Sequence, residues 1–303
     1  MRVGVSLRSS YPVADVRVGA RWMVERTAAA QRAGLDSLFV GDHHVAGVPY
    51  YQNTPILARL LAEWGDRPAG ALFVLPLWHP VLVAEQAAVL ASLAAGRFIL
   101  QCAVGGDAQQ FAGMGSDMRQ RARTFEAALD IVRRLLAGDV VTAEGPYPIS
   151  AARIAPLPPE PVAVWIGGHA PRAVDRAARL GDGWIAGPDA TDAQAASLAA
   201  TYLERCAANG TRPGVIAIRR DVHVGADDAE AESTARPVLA GGYRGFDVAA
   251  CVVGGPPRVA ERFAAYAAMG YTDVLVRQLA DAQEDALASM ARLAQVRALV
   301  AEA

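Results

Sequence analysis

The chain has 303 residues and a mass of 31.8 kDa, a length that fits one large α/β domain. Hydrophobic residues make up 53% of it and the formal net charge is −2, without a long run of one sign, so small molecules are more probable partners than nucleic acid or a membrane surface. All 29 basic residues are arginine, and the absence of lysine excludes Schiff-base chemistry, pyridoxal phosphate anchoring and a P-loop lysine.

The first residues and the cysteines indicate a cytoplasmic protein. The stretch 1–7 enters a strand-like run directly, without the apolar segment and cleavage site of a signal peptide, and no apolar stretch reaches about 18 residues. Cys102, Cys206 and Cys251 are odd in number and far apart, so we expect neither a disulfide framework nor a zinc ribbon.

Strand-like and helix-like runs alternate along the whole chain. The predicted strands lie near 3–7, 37–41, 69–75, 98–103, 162–167, 184–187, 215–224 and 273–277. The predicted helices lie near 18–33, 55–65, 80–94, 119–137, 171–180, 191–208, 228–239, 257–268 and 281–301. This order predicts a parallel sheet, and eight βα units favour a single closed (β/α)8 TIM barrel over residues 1–303. An open Rossmann sheet is the alternative, but no Gly-x-Gly-x-x-Gly follows the first strand.

Three connections are longer than a barrel turn needs. They span about 104–118 after strand four, 138–161 before strand five and 240–256 before strand eight. Connections of this length are often functional lids or insertions, so we predict three insertions in the barrel.

The most polar strand end is Asp42-His43-His44, which follows the buried run 37–41. Ligands bind at the carboxyl ends of parallel strands, so this cluster predicts a site in which one imidazole donates to, or exchanges protons with, a bound ring. Two other interpretations remain, a metal site and a purely structural turn, although the other histidines are too scattered to complete a ligand set. Adjacent residues at a strand end point in opposite directions, so at most one of the two histidines should face the centre of the pocket.

The second candidate is Gly167-Gly168-His169, where a strand meets a helix that begins at Pro171. Glycines let the backbone approach an anion closely, and a helix N-terminus offers free N–H groups with partial positive charge, so the stretch predicts a phosphate site. A tight turn that merely needs glycine is the alternative.

Several residues near strand ends are candidates for lining a barrel mouth and contacting a small substrate. They are Tyr50, Tyr51, Asn53, Trp78, Arg277 and Gln278. We expect that substrate to be largely uncharged.

Five stretches in this order resemble the luciferase-like family of flavin- and deazaflavin-dependent oxidoreductases. They are Asp42-His43-His44, Val74-Leu75-Pro76 with His79-Pro80, Gly96-Arg97-Phe98, Ile166-Gly167-Gly168 and Gly181-Asp182-Gly183-Trp184. The resemblance spans most of the chain. It implies a (β/α)8 barrel that holds a flavin or deazaflavin ring in its mouth.

The resemblance also implies roles for individual residues. Asp42 and His43 match the acidic residue and the histidine at the ring, with His43 as the proton-handling group. Ala71 and Leu72 match a bulge in strand three, often a non-prolyl cis peptide, that supports the ring from behind. The phosphate loop corresponds to Gly167, Gly168 and His169. A phosphate-contacting arginine corresponds to Arg121, with Arg123 as the alternative.

The resemblance implies a reaction and a cofactor as well. The chain is shorter than the luciferase catalytic subunit and has no recognisable long lid, so hydride transfer is a better expectation than monooxygenation with light emission. The Ala- and Arg-rich, Lys-free composition is typical of actinobacteria, where many members of the family use coenzyme F420, and FMN is the close alternative. The family also implies a homodimer. The alternative functions are a catalytically silent flavin-binding relative and a metal-dependent barrel hydrolase.

Overall fold

Apolar runs of three to ten residues form the strands, because side chains buried on both faces of a parallel sheet need no polar alternation. The computed structural model describes residues 1–302. Its strands are β1 (Arg2–Leu7), β2 (Leu38–Val40), β3 (Ala69–Val74), β4 (Phe98–Ala103), β5 (Val141–Ala143), β6 (Ile149–Ala152), β7 (Ala163–Gly167), β8 (Gly183–Ala186), β9 (Val215–Val224), β10 (Val252–Gly254) and β11 (Asp273–Gln278).

Eight of these strands close into a parallel barrel in the order β1-β2-β3-β4-β7-β8-β9-β11. The pairing of β1 with β11 completes the ring, with Arg2 opposite Asp273. The Arg2 guanidinium reinforces this seam with two hydrogen bonds of 2.8 Å to the Asp273 carboxylate. The predicted (β/α)8 barrel is therefore confirmed, and the open Rossmann sheet is excluded.

Nine of the ten described helices agree with the predicted segments to within a few residues at each end, and the short helix over Ala108–Gly113 was not predicted. They are α1 (Val16–Arg32), α2 (Asn53–Trp64), α3 (Pro80–Leu93), α4 (Ala108–Gly113), α5 (Arg121–Leu136), α6 (Pro171–Leu180), α7 (Asp192–Ala208), α8 (Asp228–Leu239), α9 (Pro256–Ala268) and α10 (Gln283–Glu302). Proline opens α3, α6 and α9, because the first turn of a helix leaves its N–H groups unpaired in any case. None of the helices in residues 1–302 has the length and apolar character that a membrane crossing needs.

The barrel interior is filled near the amino ends of its strands and open near their carboxyl ends. The inner cluster is small and consists of Phe39, Ile99, Trp165, Ala217 and Leu275. The rings of Phe39 and Trp165 lie 5.3 Å apart at its centre. Since this plug blocks the lower half, a ligand can enter the barrel only from the carboxyl-terminal mouth.

The three long connections contain short elements that the sequence did not predict. Residues 104–118 contain α4, residues 138–161 contain the antiparallel pair β5–β6, and residues 240–256 contain β10. The two added strands of the pair and β10 have only three or four residues each, too few for a periodic pattern to stand out. β10 pairs with the end of β9 outside the closed ring.

One expectation about strand three is wrong. β3 pairs with β4 residue for residue from Ala69 to Val74, without a bulge. The peptide bond between Ala71 and Leu72 is trans, and within residues 1–302 the one cis bond precedes Pro156. The Asn53 side chain donates to the Leu72 carbonyl at 2.7 Å, so this segment is held as a regular strand.

Candidate functional site

The barrel mouth contains a cavity of about 680 Å³ to which every barrel strand contributes. One lining residue from each strand, in barrel order, is Ser6, Val40, Leu72, Gln101, Gly167, Ile185, Arg219 and Leu275. Carboxyl ends of barrel strands are where ligands bind in this architecture, and a cavity of this size accommodates a cofactor-sized molecule.

The cavity lining is strongly basic. Its described residues include five arginines and no aspartate or glutamate; the arginines are Arg119, Arg121, Arg172, Arg176 and Arg219. Glu126 neutralises Arg176 through a 2.8 Å hydrogen bond. Arg119 and Arg219 also lie near carboxylates, Asp117 at 3.4 Å and Asp221 at 3.7 Å. Arg121 and Arg172 have no carboxylate partner within residues 1–302 and leave a positive charge that favours an anionic ligand.

The glycine turn after β7, residues 167–169, has the features of an anion-binding turn, and we call it the anion cradle. Gly168 has φ +147°, and a Cβ there would lie 2.7 Å from the Cβ of Ala173, so the position requires glycine. The Gly168 carbonyl accepts a 2.8 Å hydrogen bond from Trp184 Nε1, which fixes the turn. No side chain caps the N-terminus of α6, and Pro171 has no N–H. The N–H groups of Ala173 and Val174 both donate to the Ala170 carbonyl, which leaves the Arg172 N–H as the unpaired donor of the first turn beside the cavity.

Of the two arginines considered for phosphate contact, Arg121 lies at the mouth cavity and Arg123 does not. Arg121 lines the mouth cavity, and its Nη1 donates to the Met118 carbonyl at 2.8 Å, which orients the guanidinium. Arg123 lines a separate pocket next to the β5–β6 pair. His169 also lines the mouth, but its side chain is 58% exposed and its Nδ1 is 3.9 Å from Asp189.

Asp42 is buried beside the mouth and supports the loop that follows β2. Its Oδ2 accepts hydrogen bonds from the Val74 backbone N–H at 2.7 Å and from Trp78 Nε1 at 2.8 Å. Its Oδ1 lies 3.2 Å from Nε2 of His44. His44, and not His43, is therefore the histidine next to the carboxylate, although the two atoms do not form a hydrogen bond, and Asp42 does not line the cavity.

His43 lies at the rim of the mouth. Its ring centroid is 5.6 Å from that of Tyr50, and the Tyr50 hydroxyl is 3.0 Å from the Cβ position of Gly41, which lines the cavity. Burial raises the pKa of Tyr50 to about 12, so its hydroxyl stays protonated and can donate a hydrogen bond. Neither ring is among the residues that line the cavity.

None of the six residues predicted to line the mouth is among those that line the cavity, and three of them make their contacts elsewhere. The Tyr51 hydroxyl donates to the Val16 carbonyl on α1. Asn53 is fully buried against β3. Trp78 packs between His44 and Phe73, with ring centroids 5.2 Å away in each case, and lines the neighbouring pocket. Each holds the backbone around the mouth and does not line the cavity itself.

Arg277 and Gln278 end β11, the last barrel strand. Arg277 is mostly buried beside Asp221, whereas Gln278 is buried and neither polar atom of its side chain has a hydrogen-bond partner in the described structure. The sequence reading missed Arg219, which lines the cavity from β9. A possible signal was its place in the run Ile218-Arg219-Arg220-Asp221, where charges interrupt an apolar strand.

The metal interpretation of the histidine cluster receives no geometric support. Within the described part of the chain, no three His, Cys, Asp or Glu side chains come close enough to bind one metal ion together.

Sequence comparison relates the chain to a known family. A sequence profile of the family described as luciferase-like monooxygenase matches residues 1–248. The F420-dependent glucose-6-phosphate dehydrogenase of Kribbella flavida is 29% identical over 192 residues, which cover 60% of this chain and 58% of that protein. The chain thus matches little more than half the length of this relative.

Solved structures show the same fold. An F420-dependent secondary alcohol dehydrogenase, in complex with an F420–acetone adduct, aligns with a TM-score of 0.81 and 17% identity over 99% of this chain and 98% of its own. The FMN-bound oxygenating constituent of 3,6-diketocamphane monooxygenase from Pseudomonas putida aligns with a TM-score of 0.81 and 17% identity over 100% of this chain and 98% of its own. At these identities the likeness concerns the barrel alone.

Proposed function

The chain belongs to the luciferase-like monooxygenase family, and we therefore propose that it is an oxidoreductase that binds coenzyme F420 in its mouth cavity and transfers hydride to or from a small organic substrate. The observation that carries this proposal is the combination of a ring-sized cavity with an anion cradle at one side. FMN is the alternative cofactor, with either hydride transfer or monooxygenation as its chemistry.

The residues present fit such a cofactor. A phosphate group would be held by the turn at Gly168, the N-terminus of α6 and the guanidiniums of Arg121 and Arg172, all of which border the cavity. Nε2 of Gln101 lines the same cavity, is buried and has no hydrogen-bond partner in the described structure. A buried amide without a partner is costly, so a polar ring edge that accepts from it supports the fit.

When bound, a deazaflavin or flavin supplies the hydride chemistry. The chain would position the ring and keep water away from it. Leu72, Ile185 and Leu275 give the cavity apolar walls that orient a flat ring and exclude water. At the rim, His43 is placed to hold or release a proton at an imidazole nitrogen, while Tyr50 donates through its hydroxyl. Asp42 acts indirectly, by holding the loop that bears His43.

Two observations support coenzyme F420 over FMN. The Kribbella flavida relative is F420-dependent. In addition, the tail of this cofactor carries carboxylates beyond its phosphodiester, and the cavity offers two arginines without a carboxylate partner in the described part of the chain, Arg121 and Arg172. FMN has a single phosphate and uses fewer of these charges. The FMN-bound structural relative keeps that cofactor as the alternative.

Cofactor titration tests the proposal. We expect F420 to bind with a micromolar dissociation constant, followed by its fluorescence, and Arg121→Met to weaken it about tenfold because a charge-assisted hydrogen bond is lost. Arg123→Met is the matched control and should bind as wild type, since Arg123 lines the other pocket. Binding of neither F420 nor FMN would refute the proposal.

A turnover assay distinguishes the proposed enzyme from a catalytically silent flavin-binding relative. We expect His43→Ala to bind cofactor normally and to lose hydride transfer, whereas a silent relative would show no turnover even as wild type. Stoichiometric metal in the purified protein, measured by elemental analysis, would instead favour a barrel hydrolase.

A homodimer in the cytoplasm is also part of the proposal. α3 exposes Leu82, Val89 and Leu93, whose spacing of seven and four residues puts them on one helix face. Light scattering of the purified protein should give twice the 31.8 kDa chain mass, and Val89→Asp should shift it towards one copy.

A further inference from the structure

A second basic group lies at the carboxyl ends of β9 and β11. The carboxylate of Asp221 is 1% exposed, and three guanidiniums surround it: Arg219 at 3.7 Å, Arg244 at 3.3 Å and Arg277 at 3.6 Å. The Tyr243 hydroxyl also donates to it at 2.8 Å. One negative charge thus stands against three positive charges.

Strand register shows that this group opens into the mouth. β9 and β11 are paired so that Arg219 is opposite Leu275 and Asp221 is opposite Arg277. Arg219 and Leu275 both line the cavity. Because alternate residues of a strand share a face, Asp221 and Arg277 lie one layer above that pair on the same inward side.

The N–H donors of two of these guanidiniums are not all paired with acceptors from the protein. Arg219 Nε and Arg277 Nη1 are buried and have no hydrogen-bond partner in the described structure, and their distances to Asp221 exceed hydrogen-bond range. Arg244 differs, because it bonds Asp221 and its side chain is 40% exposed. Arg219 Nε and Arg277 Nη1 both face Asp221, whose Oδ1 also has no hydrogen-bond partner among the described residues, so the carboxylate holds the two guanidiniums by charge and satisfies none of their donors. Donors that the protein leaves unsatisfied in a buried site indicate that a ligand supplies acceptors.

The group is also close to Tyr50 and distinct from the glycine turn after β7. The positive charges of Arg277 and Arg219 lower the pKa of Tyr50, although burial outweighs them and raises it. The glycine turn after β7 is separated from β9 by β8 and from β11 by two strands. A cofactor phosphate in the cradle therefore leaves these two arginines free.

We propose that Arg219 and Arg277 bind an anionic group of the substrate, a carboxylate or a phosphate, while Asp221 orients both guanidiniums. This replaces the expectation of a largely uncharged substrate. Arginine suits this role because its planar fork donates two parallel hydrogen bonds to two oxygens of one anion. As a statement about the substrate, the inference rests on the proposed oxidoreductase function.

Calorimetric titration of the F420-loaded protein with inorganic phosphate, and separately with acetate, tests the site because the cofactor already fills the cradle. We expect one anion to bind, and Arg219→Met and Arg277→Met each to weaken it about tenfold or more. Arg258→Met removes one positive charge from the outer surface and should change the affinity less than twofold. The stronger of the two anions indicates whether the substrate group is a phosphate or a carboxylate.

Further variants and outcomes keep the result decisive. Arg277→Lys retains the charge without the fork and should give an intermediate affinity, which also covers the case in which Arg277→Met does not fold. No anion binding by wild type, or equal affinity in the Arg219 and Arg277 variants, would overturn the inference even if F420 binds. If no cofactor binds, the oxidoreductase proposal fails, and phosphate binding to Arg121→Met protein that still depends on Arg219 would retain the anion site.

Discussion

Replacing Asp42 with alanine should destabilise the fold more than it changes the chemistry. The substitution removes the acceptor for two donors, the Val74 backbone N–H at 2.7 Å and Trp78 Nε1 at 2.8 Å. Leaving a buried donor unpaired costs about 1–3 kcal/mol. Trp78 is partly exposed and its N–H can turn to water, so we expect a total loss of about 2–4 kcal/mol in the free energy of unfolding.

Thermal unfolding of the cofactor-free protein measures this loss. At roughly 2 °C per kcal/mol for a chain of this length, Tm should fall by about 4–8 °C. Asp42→Asn is the matched control, because its amide oxygen still accepts from Val74 and Trp78, and its Tm should fall by less than half as much. His43→Ala should have a Tm close to wild type, since its ring packs at the rim against Tyr50.

A different pattern would refute the reasoning. If Asp42→Ala unfolds at the wild-type temperature and binds cofactor normally but loses hydride transfer, the carboxylate works in the reaction, and the loop does not depend on it.

Three further predictions concern other parts of the mouth and core. Gly168→Ala should lower Tm by about 2–6 °C, because φ +147° costs an alanine about 1–3 kcal/mol, whereas Gly167→Ala should not, since its Cβ would meet nothing closer than 3.7 Å. Asn53→Ala should lower Tm by several degrees, measured by the same melts, by leaving the buried Leu72 carbonyl unpaired; an unchanged Tm would show that water replaces the amide. Burial raises the pKa of Cys251 to about 11, so only about one thiol in 1,000 is ionised at pH 8, and iodoacetamide labelling should be slow at pH 8 and faster towards pH 11; rapid labelling at pH 8 would contradict the burial.

The barrel was predictable from sequence because its signals are local. Each βα unit is recognisable from an apolar run followed by an amphipathic helix. The prolines at 80 and 171 predict the start of two helices, and both helices begin there in the structure. The glycine turn was likewise readable, because Gly168 and Pro171 are close in sequence and their geometry follows from backbone rules alone. The strand-three bulge came from family likeness and not from the residues, and the regular pairing of β3 with β4 removed it.

The pairing inside the site was not predictable because it depends on distant partners. Asp42 is joined to Trp78, 36 residues away, by the turn after β3, and this contact decides that His44 and not His43 approaches the carboxylate. Arg219 and Arg220 are neighbours in sequence, but their side chains lie on opposite faces of β9. Arg219 lines the cavity, while Arg220 donates to the Tyr266 hydroxyl behind the sheet at 2.8 Å. Only strand register decides which of the two points inward.

The seam between β1 and β11 also determines the order in which the protein can be completed during translation. Arg2 leaves the ribosome before its partner Asp273, which follows 271 residues later. At about 5–20 residues per second, the first strand waits on the order of 10–60 s with one edge unpaired. An unpaired edge is a template for association with other chains, so the nascent protein is most prone to aggregate before its last barrel strand emerges. Translation speed over the final third of the message therefore bears on yield as well as on timing.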